Sequence, residues 1–487
     1  MRTALFVFSI FHYWKEMHPV PRHFAAEGWR VHILIGWSGP SAAAVAAECR
    51  ALGMAVDEVP PPLNYGDHQA PAAAAAGEAP PPPRARSARL PGFMRRRLHA
   101  PRRLAEGIVA FHRAGLAKRY ARQFLTAIAP DIVFGGPWQA AGSFDNGFAL
   151  WCNRKRLPYC CLSFSPYLGE PNNIGGKFTH LAHGMAGNYI RRDYDWINRA
   201  IARLFPHWTR TRDGVTIFYW DPVRTLAAKL RGLVERNIWQ RPSERYDAVF
   251  VFSEFSRRML LEARYDPAKI VVAGMPVLDE IVAKLGDAKH RAALFAQLGL
   301  AVDEPFILYN VEPGLEHSYV PAATHWRRFH EHMAALRATG MKVVLSLHPL
   351  CRKQDYRFVE ATPGFKVVDV PSIHELYPYC RFVVSHCCST NLLAAIFGKP
   401  LVIMDHDGMT REGAPRAALF RMPDALYAYS VAELGDRLAE AMRRPLSPPQ
   451  GAEALACRRI REAVEQRFFA AARPMSAGLV AAGIAGE

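Results

Sequence analysis

Short apolar runs, each followed by a stretch with helical spacing and then a Gly- or Pro-containing break, recur along the chain. Thr3–Ser9 reads as a first buried strand, His12 to His18 as the loop after it, and Pro21–Glu27 as the start of a helix that Gly28, Trp29 and Arg30 end. Val31–Ile35 is a second strand, which makes a βαβ opening of about the minimum length. An Ala-rich helix at Ser41–Leu52, closed by Gly53, and a short strand at Met54–Val59 follow. Further on, Leu104–Ala127 predicts a helix, and Pro130–Phe134, Leu157–Ser163, Asp247–Ser253 and Lys269–Ala273 predict strands, with a helix at Glu254–Glu262.

The same alternation then starts again. Helices are predicted at Arg291–Leu298 and Thr324–Ala338, and strands at Pro305–Asn310, Met341–Leu347, Phe365–Asp369, Arg381–Ser385 and Leu401–Met404. Thr390–Phe397 has helical spacing and Gly398, Lys399 and Pro400 stop it. Val431–Arg443 and Glu453–Phe469 are helical, and the rest is a small-residue tail. Strands that alternate with helices imply parallel sheets covered on both faces. The expected fold class is therefore α/β, with two Rossmann-like, doubly wound domains facing a cleft. Their expected bounds are 1–275 and 276–455, with a C-terminal helix and tail at 456–487. Ligand in such folds lies at the carboxyl ends of the strands.

Two stretches break the pattern. Ala70–Pro83 is low-complexity and rich in Pro and Ala, inside an insertion at about 64–103, and Asn172–Trp239, at about 170–240, reads as an irregular insertion with many aromatics, part of it helical. Arg84–Arg103 carries eight arginines and no acidic residue, with Leu90, Phe93, Met94 and Leu98 interleaved. It reads either as a patch that touches an anionic membrane surface or lipid-linked acceptor, or as a solvated loop leading into a helix.

Composition narrows the partner. The chain has 487 residues, half of them apolar, with net charge +17 and pI about 9.6. Such a balance calls for an anionic partner. No nucleic-acid motif is present, which leaves phosphates and lipid headgroups. The nine cysteines are scattered without a CxxC, as expected of reduced, buried thiols. Cys380, His386, Cys387 and Cys388 fit no familiar structural zinc spacing. The apolar run Ala4–Phe11 is not followed by a small-residue cleavage site, so a buried strand is preferred to a signal segment.

The candidate chemistry concentrates in Lys366–Pro400. Its loop His386–Ser389 leaves one strand and opens a helix, so free backbone N–H groups and the hydroxyls of Ser389 and Thr390 are placed to hold a diphosphate. His348, held extended by Pro349, ends another strand of the same set. Glu312 and Glu316 lie in the loop after Asn310, and Asp405 and Asp407 follow the strand Leu401–Met404. Asp193, Asp195, Asp405 and Asp407 form short acidic triplets with the residue between them, a pattern common by chance. Gly135 and Gly136 follow a strand without GxGxxG.

With those residues in place, the chain resembles the GT-B superfamily of nucleotide-sugar enzymes. More narrowly it is similar to the CDP-glycerol glycerophosphotransferase relatives. The motifs are His183-Gly184, Ser253-Glu254, the Gly274–Asp279 linker (GxP-x-x-D), His348-Pro349, and Asp369 through Glu375-Leu376 to Ser389-Thr390. Similar His-Pro and Ser/Thr motifs occur in bacterial sialyltransferase-like and UDP-N-acetylglucosamine 2-epimerase-like enzymes. His386, Cys387 and Cys388 depart from the family pattern, and Leu392 and Leu393 stand where relatives carry helix carboxylates.

The resemblance implies a transferase that moves a sugar or polyol phosphate from a nucleotide-activated donor to a hydroxyl of a glycan or lipid-linked acceptor, in surface polysaccharide synthesis. It implies His183, or His18 (matching H-x-x-P with Pro21), as general base, with His12 as a third choice, and His348 as a stabiliser of the leaving nucleotide. Pro349, Ser389, Thr390, Glu312 and Asp407 would line the nucleotide site. No tightly bound cofactor and no divalent metal are expected, and no nucleic acid. The expected place is the cytoplasm, at the inner membrane face if Arg84–Arg103 touches lipid. Rival readings are a non-hydrolysing nucleotide-sugar 2-epimerase and a non-catalytic scaffold of a polysaccharide assembly complex.

Overall fold

The computed structural model describes residues 1–65, 92–137, 143–163, 169–182, 188–311, 314–315, 320–348, 351–368, 373–388, 390–411, 421–422, 424–447 and 455–470. Its first part runs β1 (Thr3–Phe8), α1 (Phe11–Met17), α2 (Pro19–Ala26), β2 (Arg30–Ile35), α3 (Pro40–Ala51), β3 (Ala55–Glu58), α4 (Gly92–Ile128), β4 (Ile132–Gly135), α5 (Phe144–Lys155), β5 (Tyr159–Leu162) and α6 (Glu170–Ala182). It continues with α7 (Trp196–Leu204), the hairpin β6 (Thr209–Arg212) and β7 (Val215–Phe218), α8 (Pro222–Leu230), β8 (Ala248–Val251), α9 (Glu254–Glu262) and β9 (Ile270–Val272). The linker helix α10 (Pro276–Lys284) and α11 (Ala288–Leu298) lead to β10 (Phe306–Val311), α12 (Ala322–Ala338), β11 (Lys342–Leu347), α13 (Lys353–Tyr356) and β12 (Phe365–Val368). The chain then forms β13 (Phe382–Ser385), α14 (Asn391–Ile396), β14 (Leu401–Met404), β15 (Leu426–Ala428), α15 (Val431–Arg443) and α16 (Ala456–Val464).

Two parallel sheets result. The seven-stranded sheet has the order β3-β2-β1-β4-β5-β8-β9, and the six-stranded sheet has the order β12-β11-β10-β13-β14-β15. Strand order reverses between β1 and β4 in the first and between β10 and β13 in the second, and a crevice opens at the carboxyl ends of strands at such a reversal. Alternate residues of each central strand enter cores on opposite faces. Leu5 and Val7 join one core while Ala4, Phe6 and Phe8 join the other. Ile307, Tyr309 and Val311 are likewise divided from Phe306 and Leu308.

Four expectations change. The segment His12 to His18, read as a loop, is mostly the helix α1, whose Tyr13, Trp14 and Met17 are buried. Helix α5 was not foreseen. It packs tightly on α4, where a Cβ on Gly147 would lie 2.6 Å from the carbonyl oxygen of Ala117. The insertion, expected to be partly helical, holds α6, α7 and α8 and in addition an unforeseen hairpin, turned at Asp213 and Gly214 with positive φ of 48° and 74°. Arg103, the last arginine of the basic run, is buried and bonded to Asp221 and Asn198. It anchors α4 to the insertion and belongs to no surface patch. Residues 66–91 lie outside the described residues. Among the described residues no helix is long and apolar enough to cross a membrane.

Candidate functional site

Strand β13 delivers the loop at the reversal point of the second sheet. Phe382, Val383, Val384 and Ser385 are fully buried, so the chain emerges at a fixed place beside the end of β10. The loop is knit by its own side chains. The Cys388 sulfur lies 3.1 Å from Ser385 Oγ and 3.0 Å from Thr390 Oγ1, and donates to Asn391 Oδ1 at 3.2 Å. Buried Asn391 in turn donates to the carbonyl of His386 at 2.7 Å. Burial pushes the Cys388 thiol up, so Cys388 serves as a polar tie rather than a thiolate.

Beside this loop is a cavity lined by α12 and by the ends of β10, β13 and β14. His325, Arg328 and His332 lie three or four residues apart on α12 and face the strand ends. Opposite them stand His386, His406 and Asp407. Arg328 Nη1 lies 3.4 Å from Asp407, whose side chain is 44% exposed. Asp405 is committed locally, accepting from the backbone N–H of Met409 and Thr410 and from Thr410 Oγ1, each at 2.7 Å. Burial is the main cause that lowers His332 to about 2 and His386 to about 4. The cavity therefore offers an arginine and neutral imidazoles, which suits a phosphate or other anion.

The first sheet presents a carboxyl group at its own reversal point. Asp145, in the first turn of α5, accepts from Ser9 Oγ at 2.8 Å and from Tyr65 OH at 3.1 Å. Ser9 directly follows β1. The other oxygen, Oδ1, is buried and makes no hydrogen bond to the described residues. Burial pushes Asp145 up to about 7, against the two hydroxyl donors. A carboxyl that titrates near neutrality at a strand end is suited to proton transfer.

The two edges meet. Cys387 and Met409 pack with Phe255 and Met259 of α9. Leu392 of α14 packs against the core of the first sheet. A carboxylate there would be partly desolvated against that apolar core, so leucine at this position makes an apolar contact between lobes. Glu16 of α1 lies 3.6 Å from His374, which follows β12.

The expected site residues are placed unevenly. His348 ends β11 and is exposed at the carboxyl edge, one strand removed from the Thr390 loop. Thr390 lies within that loop, and Asp407 pairs with Arg328 in the cavity. His18 is bonded through both ring nitrogens, to Glu280 at 3.2 Å and to the Lys15 carbonyl at 3.1 Å. Work as a base would require breaking that pairing. His12 stands exposed in the first turn of α1. His183, Pro349, Ser389, Glu312 and Glu316 lie outside the described residues.

The acidic triplets have structural work. Asp193 pairs with Arg191, Asp195 caps α7 by accepting from Asn198 N, and Asp405 holds its own turn. No group of three or more His, Cys, Asp or Glu among the described residues is arranged to hold a metal ion. Sequence reasoning missed Asp145, Arg328 and the α12 histidines. The i, i+3, i+7 spacing of His325, Arg328 and His332 was a readable signal for one helix face, whereas the burial of Asp145 depends on distant Ser9 and Tyr65.

No protein-family model matches the chain, and no curated protein sequence matches it. Solved structures do match its shape. The UDP-GlcNAc 2-epimerase from Methanocaldococcus jannaschii superposes with a TM-score of 0.51 at 11% identity, over 95% of this chain and 99% of that one. A Listeria monocytogenes protein assigned as a UDP-N-acetylglucosamine 2-epimerase gives 0.53 at 11% identity, over 96% of each chain. The glycotransferase of kitacinnamycin gives 0.50 at 14% identity, over 94% of each chain. The chain has the GT-B fold. At such identities the likeness is one of fold alone, and the GT-B arrangement accounts for the paired carboxyl edges just described. The expected fold of two Rossmann-like, doubly wound domains agrees with these neighbours.

Proposed function

We propose that this GT-B-fold protein is a transferase that moves a glycosyl or polyol-phosphate group from a nucleotide-activated donor to an acceptor hydroxyl. The single observation that carries the reading is the pairing of two unlike edges. The second lobe offers Arg328, imidazoles and the 386–390 loop to an anion, and the first lobe offers the buried carboxyl of Asp145. Two of the structural neighbours are named as UDP-N-acetylglucosamine 2-epimerases, which supports a nucleotide-activated donor.

In this reading the diphosphate lies against the loop amides and the hydroxyls of Ser389 and Thr390, with Arg328 drawing off charge as the nucleotide leaves. His348 approaches from the far side of β10. Asp145 takes the acceptor proton, and His183 and His18 remain the alternatives for that role. Removing a base of this kind costs about 10²–10⁴ in rate. The chemistry needs no metal in this account.

The acceptor is a surface glycan or its lipid-linked precursor, met at an anionic membrane face in the cytoplasm. Ile108 and Val109 on α4 and Trp196 on α7 are 60%, 66% and 55% exposed; α4 also carries exposed Arg102, and Arg103 reaches to 3.6 Å from Asp195 at the start of α7. That mixture favours a headgroup boundary. Deleting Arg84–Arg103 would also remove the Arg103 anchor, so Ile108→Ser with Trp196→Ser is the cleaner test. The pair is expected to reduce co-sedimentation with phosphatidylglycerol vesicles; absence of vesicle binding by the unaltered protein refutes the membrane step.

A second reading, a nucleotide-sugar 2-epimerase, is favoured by the near-neutral Asp145, which serves equally as an acid or base on a sugar carbon. Incubation with UDP-N-acetylglucosamine alone separates the two, because an epimerase needs no acceptor. The transferase reading expects no C2 isomer without acceptor, and group transfer or slow donor hydrolysis with it. Accumulation of the isomer contradicts it.

A further inference from the structure

The Nε2 atoms of His332 and His406 face each other at 2.7 Å, with the rings within 9° of parallel. An imidazole nitrogen carries either a hydrogen or a lone pair. At this distance one ring donates and the other accepts, so the two facing nitrogens share one hydrogen. The outer nitrogen of His332 lies 3.2 Å from Tyr309 OH. The His406 ring is also bonded to the backbone of Tyr429, and the His386 ring to the backbone of Met404.

The charged and titratable groups around the pair come from four elements. Helix α12 supplies His325 and Arg328, β10 supplies Tyr309, the end of β13 supplies His386, and the end of β14 supplies Asp405 and Asp407. Arg411, stacked 4.7 Å over the Tyr429 ring, stands beyond them. Asp405 is consumed by its own turn and Asp407 is shared with Arg328. A second hydrogen placed between the facing nitrogens turns an attraction into a repulsion, and one N–H must then rotate toward a new acceptor. An anion seated beside Arg328 is such an acceptor.

We infer that the cavity takes up one proton together with each phosphate-bearing ligand, through the His332–His406 pair, so that donor binding and protonation are a single event. The inference rests on the donor reading above and specifies how that site recognises a dianion. The proton comes from solvent, one imidazole of the pair becomes an imidazolium, and its freed N–H bonds a phosphate oxygen. No covalent bond changes. Burial holds the imidazoles neutral in the free protein, so the proton has to arrive with the ligand. Affinity therefore rises as pH falls, by up to about tenfold per unit.

The test is calorimetric titration of UDP into the full chain at pH 7.5 in HEPES and in Tris, whose ionisation heats differ. At that pH the terminal phosphate of UDP is itself deprotonated. The expected result is a binding heat that depends on the buffer, with net uptake approaching one proton per UDP. His406→Gln and His332→Gln keep a polar group of similar size, and each is expected to abolish the buffer dependence while UDP binds about tenfold more weakly. Equal heats in both buffers for the unaltered protein, or undiminished buffer dependence in both variants, overturn the inference and leave the donor reading intact. No detectable UDP binding in any buffer overturns both.

Discussion

The carboxylate of Asp279 accepts the backbone N–H of Cys457 at 2.8 Å, across 178 residues of sequence. It also accepts from Ala456 N at 3.0 Å, so the aspartate of the linker motif caps the helix that returns to the first lobe. That helix buries Cys457, Ile460 and Val464 in the core beneath β1. The motif thus has a structural meaning: one side chain ties the linker, the returning helix and the first sheet together. Asp279→Ala is expected to cost about 1–2 kcal/mol, the usual range for a lost helix cap. Urea unfolding of the variant beside the parent measures it, and an unchanged midpoint contradicts the role.

Next to it, Glu280 bonds His18 at 3.2 Å and Arg22 at 2.6 Å. The His18 contact first, then Arg22, holds its carboxyl down to about 2. A depressed carboxylate favours the folded state above the unfolded value, about 4.3. The contribution is lost as pH falls toward 2. Glu280→Gln should therefore be less stable than the parent by about 1 kcal/mol near neutrality, a modest figure because the pair is partly solvated. The difference should shrink to nothing by about pH 2. Thermal melts across that range decide it, and a constant difference speaks against the pairing.

Asp145 carries the opposite sign. Its value is raised to about 7, so the folded chain keeps the proton that the unfolded chain loses above about 4. Stability is therefore sacrificed as pH rises from about 4 to 7. Asp145→Asn keeps an acceptor for Ser9 and Tyr65 and removes the charge. The variant is expected to melt higher than the parent at pH 8, with little difference at pH 4, while turnover falls by about 10²–10⁴. Equal melting at pH 8 would show that burial does not raise the carboxyl's value. Undiminished turnover would move the base to His183 or His18.

Much of the fold was legible in the sequence because parallel strands covered on both faces are near-continuous apolar runs. β1, β2, β10, β11 and β14 all announce themselves that way. Helix α5 did not, although Phe144, Phe148 and Cys152 recur every fourth residue, because Gly147 and the polar residues between them dilute the pattern. Gly147 is there for close contact with α4, a tertiary demand that local reading does not register. The Asp213-Gly214 turn was a standard hairpin signal lost among aromatics.

The site was half legible. A loop leaving a buried strand and opening a helix can be read from residues alone, and the structure places Thr390 and His386 there. The partners of that loop cannot. His332 meets His406 only because α12 lies across the end of β14, and Asp145 is raised only because its burial outweighs the hydrogen bonds from Ser9 and Tyr65. In a lone helix its carboxylate would read as an ordinary first-turn acid.

The account stands on the claim that the second lobe grips a nucleoside diphosphate at the carboxyl edge of its sheet. Amide hydrogen–deuterium exchange on the full chain, with and without saturating UDP, measures this directly. The account predicts slowed exchange at residues 386–397 and 405–411, with the hairpin 209–218 unchanged. UDP-dependent protection confined to other parts of the molecule, or none at all, would contradict it.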